Sequence, residues 1–222
     1  MACAVGRNPA RIGPAVAQFF AIHPQNPQKR LLDAVAEILR GGGLIVYPTD
    51  SCYAFGCQLG EKHAADRIRQ IRQTGKDHNF TLVCRDLSEI AAYARVDNWA
   101  YRLIRALTPG PYTFILRATS EVPKRLQHAK RRSIGIRVPA HVIAQGILGA
   151  IDEPLMSSTL ILPGEDRPMT DAEEIRGRLE HDVDAVVDGG SCGLEPTTVL
   201  DLSEGNVVIR RRGKGSVDFL AQ

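Results

Sequence analysis

The segment Tyr47-Pro48-Thr49-Asp50-Ser51-Cys52-Tyr53 gathers three hydroxyl side chains and a carboxylate directly after the apolar run Leu44-Ile45-Val46-Tyr47. A loop at the carboxyl end of a buried strand is where open α/β sheets place their ligands. Asp50 and Ser51 equally suit the capping of a turn. Arg137 stands in the apolar stretch Ile134-Gly135-Ile136-Arg137-Val138, just before Pro139. A strand arginine there either points to solvent or grips a carboxylate bidentately. Ser157-Ser158-Thr159 set hydroxyls along a segment expected to be a largely buried strand, and Pro196-Thr197-Thr198 repeats the theme. In Thr108-Pro109-Gly110-Pro111-Tyr112-Thr113 the prolines fix the backbone, and Gly110 would let a ligand approach closely.

Cations form two clusters. Lys124, Arg125, Lys130, Arg131 and Arg132 fall within nine residues, and Arg210, Arg211, Arg212 and Lys214 within five. Such clusters attract the phosphates of nucleotides or nucleic acid, although the first also suits a solvated face.

Other chemistries lack their residues. The six histidines (23, 63, 78, 128, 141 and 181) are scattered, with no partner at metal-ligand spacing and no Ser-His-Asp constellation in view. Gly41-Gly42-Gly43 follows a helix and precedes a strand, the reverse of a phosphate-cradling loop, and no G-x-G-x-x-G or Walker pattern occurs. Five cysteines (3, 52, 57, 84 and 192) make an odd set without C-x-x-C spacing, which reads as reduced thiols in the cytoplasm. What remains is a site of hydroxyls, backbone and arginines, suited to positioning anionic ligands rather than attacking them.

The elements that must hold these residues follow from periodicity. Helices are expected over residues 29–40, around Ala64, Ile68 and Ile71, and over 87–94, 99–107, 141–148 and 172–179. Strands are expected over residues 44–47, 80–84, 112–116, 134–138, 155–160, 185–187, 198–201 and 207–210. With 222 residues, 44% hydrophobic, 24% charged and a net charge of +3, the chain reads as one α/β domain. Its apolar runs fall short of the ~20 residues a bilayer requires, so no membrane partner is expected.

Taken in order, these blocks resemble the YrdC/YciO family, and most closely its YciO branch. The resemblance starts at Gln18 and rests on residues 19–24, Val46-Tyr47-Pro48-Thr49-Asp50-Ser51, Asn79-Phe80-Thr81-Leu82, residues 108–116, Gly135-Ile136-Arg137-Val138-Pro139, Pro154-Leu155-Met156-Ser157-Ser158 and Pro196-Thr197-Thr198-Val199. It implies a single-domain twisted mixed sheet with flanking helices and a large basic cavity over residues 18–222, behind a disordered extension at residues 1–17. It also implies binding of ATP with Mg2+, L-threonine and bicarbonate, the substrates from which active members make threonylcarbamoyl-adenylate for tRNA modification. Family members are further associated with double-stranded RNA.

Carried over residue by residue, the resemblance assigns Thr49, Ser51, Tyr53, Arg137 and Thr197 to the small acid. Arg72, Thr74, Thr113, Ser157, Thr159 and Arg211 fall to the nucleotide, and Lys124, Arg125, Lys130, Arg131 and Arg132 would contact RNA. Two family motifs are altered. K-x-R becomes Arg72-Gln73-Thr74, and S-x-N becomes Thr159-Leu160-Ile161. Losing one such donor costs roughly 3 kcal/mol, about a hundredfold in rate. Arg69, Lys76 and Arg85 are the nearby cations that would have to compensate. The expectation is therefore a synthase-type protein of weak or altered activity. The alternatives are an RNA- or tRNA-binding module without efficient catalysis, and adenylation of a different small acid.

Overall fold

Leu32, Val35, Ala36 and Leu39 recur at the spacing of one helix face and form the buried side of α1 (Lys29–Arg40), as that pattern predicts. Gly41 caps the helix, and Gly42 takes the left-handed conformation (φ 77°) that turns the chain into the sheet. The computed structural model describes residues 16–75, 78–128 and 130–220. The elements are β1 (Gln18–Ala21), α1, β2 (Ile45–Tyr47), β3 (Ala54–Gln58), α2 (Lys62–Arg72), β4 (Thr81–Val83), α3 (Leu87–Tyr93), β5 (Ala94–Arg95) and α4 (Asn98–Leu107). They continue through β6 (Tyr112–Ala118), β7 (Ser133–Arg137), α5 (Val142–Ile151), β8 (Leu155–Thr159), α6 (Ala172–Leu179), β9 (Ala185–Asp188), β10 (Thr198–Asp201) and β11 (Val208–Arg211).

The strands form one mixed sheet in the order β1-β9-β2-β3-β8-β4-β7-β6-β10-β11, with β5 added beside β6. Strand alternation sorts the core onto its two faces. Ile45, Tyr47, Val83, Leu155, Ala185 and Val187 pack with Leu32, Val35 and Leu39 of α1 and Ile143, Ile147 and Leu148 of α5. Their neighbours Leu44, Val46, Leu82, Met156 and Val186 face the opposite way, into a core shared with Ile68 of α2, Ile104 of α4 and Ile175 of α6.

Three strands are not apparent from periodicity. β3 is buried along most of its length, so Ala54-Phe55-Gly56-Cys57 shows no polar alternation. It pairs antiparallel with β2, which makes the hydroxyl-rich loop a hairpin connection rather than a strand-to-helix one. β1, at the sheet edge, buries only Phe20, and the two-residue β5 is too short to carry a pattern. At the N-terminus, Ala17 is buried and its N–H donates to the Glu180 carbonyl at 2.7 Å, so the placed chain begins ahead of Gln18. Residues 1–15 of the expected extension lie outside the described residues. Among the described residues no helix is long and apolar enough to cross a membrane.

Candidate functional site

Four neighbouring strands put small or modest side chains in one row. Ser157 of β8 lies opposite Thr81 of β4, Thr81 opposite Gly135 of β7, and Gly135 opposite Ile115 of β6. A row of Ser, Thr and Gly leaves the sheet floor low, on the same face that α1 and α5 cover farther along the strand order. Above it opens a cavity of about 340 Å³. Its wall includes Arg72, Arg131, Arg137 and Arg211, and among the described residues no Asp or Glu lines it.

Ten of the predicted ligand residues line this cavity: Thr49, Ser51, Tyr53, Arg72, Thr113, Arg137, Ser157, Thr159, Thr197 and Arg211. Thr74 is not among the lining residues, and its hydroxyl is buried without a hydrogen-bond partner.

The β2–β3 loop is braced from within. Thr49 Oγ1 donates to the Cys52 carbonyl at 2.6 Å and accepts from the N–H groups of Ser51 and Cys52, both at 3.2 Å. Thr49 thus does the turn-capping that the sequence suggested for Asp50 and Ser51. Asp50 instead accepts from Arg137 Nη2 and, at 3.0 Å, from the Ala140 N–H. Arg137 Nη1 reaches Ser51 Oγ at 3.3 Å, and Arg137 Nε is buried with no acceptor. The bidentate grip expected of Arg137 is therefore not open in this arrangement, because Asp50 occupies Nη2. Tyr53 donates to the Gly190 carbonyl at 2.7 Å, and burial raises its pKa. Ser157 receives the Tyr47 hydroxyl at 3.1 Å and donates to the Phe55 carbonyl at 2.9 Å. A Cβ on Gly110 would lie 2.7 Å from the Leu107 carbonyl, so this glycine serves its own turn rather than a ligand's approach.

Arg72 ends α2 and points into the cavity. Its Nε donates to the Ile161 carbonyl at 3.3 Å, and its Nη1 meets Ser158 Oγ and His78 Nε2. Burial and the cations Arg72 and Arg69 push the His78 pKa down to about 4, so the ring is neutral at pH 7. Of the cations considered as compensation for Thr74, Arg69 bonds Asp66 and lies over the Phe80 ring, while Arg85 pairs with Asp152 at the surface. Lys76 lies outside the described residues.

On the opposite wall, Arg211 donates to the Thr197 carbonyl (3.0 Å) and hydroxyl (3.1 Å), and Thr197 shares a 2.8 Å hydrogen bond with Thr113. Arg131 donates to the buried Asp201, which Arg210 also holds. Burial works against the Asp201 carboxylate, but hydrogen bonds from Ser203 and Arg210 outweigh it and lower its pKa. Lys124, Arg125, Lys130 and Arg132 are exposed and do not line the cavity, so the five-cation cluster is split between a cavity-wall arginine and the surface.

His78 and Ser158 are two of the cavity residues to which sequence reading assigned no ligand role. They lie eighty positions apart, and only the pairing of β8 beside β4 brings them together. Among the described residues, no group of three or more His, Cys, Asp and Glu is placed to hold a metal ion, and Cys52, Cys57, Cys84 and Cys192 are free thiols. Cys3 lies outside the described residues.

The family model Sua5/YciO/YrdC, described as "Telomere recombination", matches residues 37–213. The crystal structure of YciO from Escherichia coli is 54% identical, superposes with a TM-score of 0.87, and covers 90% of this chain and 98% of its own. The threonylcarbamoyl-AMP synthase of Stenotrophomonas maltophilia is 30% identical over 181 residues, 80% of this chain and 96% of that protein. Sua5 of P. abyssi, crystallised with L-threonine, is 21% identical with a TM-score of 0.83, covering 91% of this chain and 59% of its own. That last likeness concerns the fold alone.

Proposed function

The chain belongs to the Sua5/YciO/YrdC family, and on that premise we propose that its cavity is a basic hollow that binds Mg–ATP beside a small amino acid and forms a carbamoyl-adenylate at low rate. The observation that carries the reading is convergence: ten residues chosen from separate sequence blocks line one cavity, and among the described residues its formal charges are all cationic. Relatives named for threonylcarbamoyl-AMP synthesis and for a threonine complex make L-threonine and bicarbonate the first substrates to test.

In this reading the orphaned Nε–H of Arg137 takes one oxygen of the amino acid's carboxylate, satisfying a buried donor that now has none. Ser51, held against the same guanidinium, takes the other. Arg72 and Arg211 neutralise phosphate charge, including the charge that builds on pyrophosphate as it leaves. Magnesium would enter as part of the nucleotide substrate and offset phosphate charge. Thr113, Thr197, Ser157 and Thr159 orient the nucleotide and the carbamate. The chain's contribution is positioning, and ATP supplies the activation. Ile161, which lines the cavity where the family motif carries an amide, accounts for the low rate, whereas Thr74, where the other motif carries a cation, lies off the wall. The experiment is pyrophosphate release by the purified chain with L-threonine and bicarbonate each omitted in turn.

A second reading, duplex RNA or tRNA binding, draws on the exposed Lys124, Arg125, Lys130 and Arg132. Its mark is an affinity that falls steeply with salt.

A further inference from the structure

Arginine can only donate hydrogen bonds. That rule fixes the protons in the cluster of Arg72, His78 and Ser158. Arg72 Nη1 lies against both Ser158 Oγ and His78 Nε2, the latter at 3.0 Å, so both atoms accept from it. Nε2 is then the bare nitrogen of a neutral imidazole. Ser158 Oγ is 2.9 Å from Nε2, so its hydrogen shares with Arg72 the single lone pair of that nitrogen. An alcohol that donates to a neutral imidazole while accepting from a guanidinium is set up as a nucleophile: the ring can take its proton, and the cation stabilises the alkoxide.

The surroundings hold this geometry. Ser158 is fixed on β8, paired with Phe55 of β3. The His78 ring stands edge-on to Phe80, with centroids 5.1 Å apart. Ser158, His78 and Arg72 all line the cavity.

We infer that Ser158 is a nucleophile for carbamoyl or acyl groups carried on an activated anhydride, with His78 as its base and Arg72 as the cation that stabilises its oxygen. Ser158 Oγ adds to the carbonyl carbon, the bond from that carbon to the phosphate oxygen breaks, and the hydroxyl proton passes to His78 Nε2. With a carbamoyl-adenylate the products are AMP and a serine carbamate. Water then cleaves the carbamate, restoring Ser158 and releasing a carbamic acid that decomposes to the amino acid and carbon dioxide. The sum is hydrolysis of the adenylate. The choice of adenylate rests on the function proposed above, whereas the reactivity of the serine does not. Among the described residues the charges that face His78 are Arg72 and Arg69, both from α2, while β8 presents the Ser158 hydroxyl to it and Phe80 its ring. An anionic phosphate in the cavity offsets those two cations and strengthens the base when substrate is bound.

The test treats the full chain with a fluorophosphonate and, separately, with a p-nitrophenyl carbamate, and maps the adduct by tandem mass spectrometry. The expected result is one adduct on Ser158, formed about 100-fold more slowly in His78→Gln, absent in Ser158→Ala, and slowed by Mg–ATP. A wild-type chain that binds ATP by calorimetry yet stays unmodified, or is modified elsewhere, overturns the proposal. Modification of Ser158 that Mg–ATP does not slow supports the nucleophile and counts against the nucleotide reading. No modification together with no ATP binding removes both. The decisive result comes from the wild-type chain, so a folding defect in either variant does not blunt it.

Discussion

Arg137, on the cavity wall, forms an ion pair with Asp50, which does not line the cavity, and each side chain is 9% exposed. The same guanidinium keeps its Nε–H without an acceptor. One residue is thus divided: half of it fastens the β2–β3 loop, and the unbonded half is the one proposed above to meet a carboxylate.

Removing one partner of a buried pair strands the other charge. Asp50→Ala is expected to destabilise the fold by about 3–5 kcal/mol in denaturant titration. Arg137→Lys keeps the charge but lacks the guanidinium fork. It is expected to weaken binding of the amino acid by at least about tenfold in calorimetry while ATP affinity stays within about twofold. Equal losses for both ligands would place Arg137 outside the acid subsite.

Ile161 and Thr74 separate two explanations of low activity. Ile161 lines the cavity and Thr74 does not. Ile161→Asn is expected to raise the rate of pyrophosphate release by about 100-fold, and Thr74→Arg alone by no more than about threefold. A large gain from Thr74→Arg and none from Ile161→Asn would contradict this placement of the wall.

The His78 pKa of about 4 against a usual 6.5 has a stability consequence. Between those values the unfolded chain binds the proton and the folded chain does not, so stability rises with pH across that window and is complete above it. Folding free energy measured at pH 4.5 and 7.5 is expected to differ less in His78→Gln than in the wild type. An unchanged difference would mean that His78 is not held neutral by its surroundings.

The surface and cavity-wall cations also divide by experiment. Lys124→Glu combined with Arg132→Glu is expected to lower the salt dependence of duplex RNA binding by about two phosphate equivalents, read from the slope of log affinity against log salt. Arg131→Ala acts on stability instead, because Arg131 helps to hold the buried Asp201. An RNA affinity indifferent to salt would remove this second reading.

The long helices and most strands were legible because their apolar spacing is strong, as in α1 and α6, whose ends match the periodicity. β3 was not, since a strand buried on both faces has no alternation to read. The cavity-lining residues were legible as types, because hydroxyls and an arginine are conspicuous in apolar strands. Their present partners were not. That Asp50 holds Arg137, that Asp201 holds Arg131, and that His78 meets Ser158 all depend on strand order, and β8 entering between β3 and β4 leaves no local trace in sequence.

The central claim is that one cavity couples an adenine nucleotide to a small amino acid and bicarbonate, and pyrophosphate release tests it most directly. The predicted result is slow release that needs ATP, L-threonine and bicarbonate together and is lost in Arg137→Lys. Release indifferent to both L-threonine and bicarbonate, with no ATP binding detected by calorimetry, would contradict it.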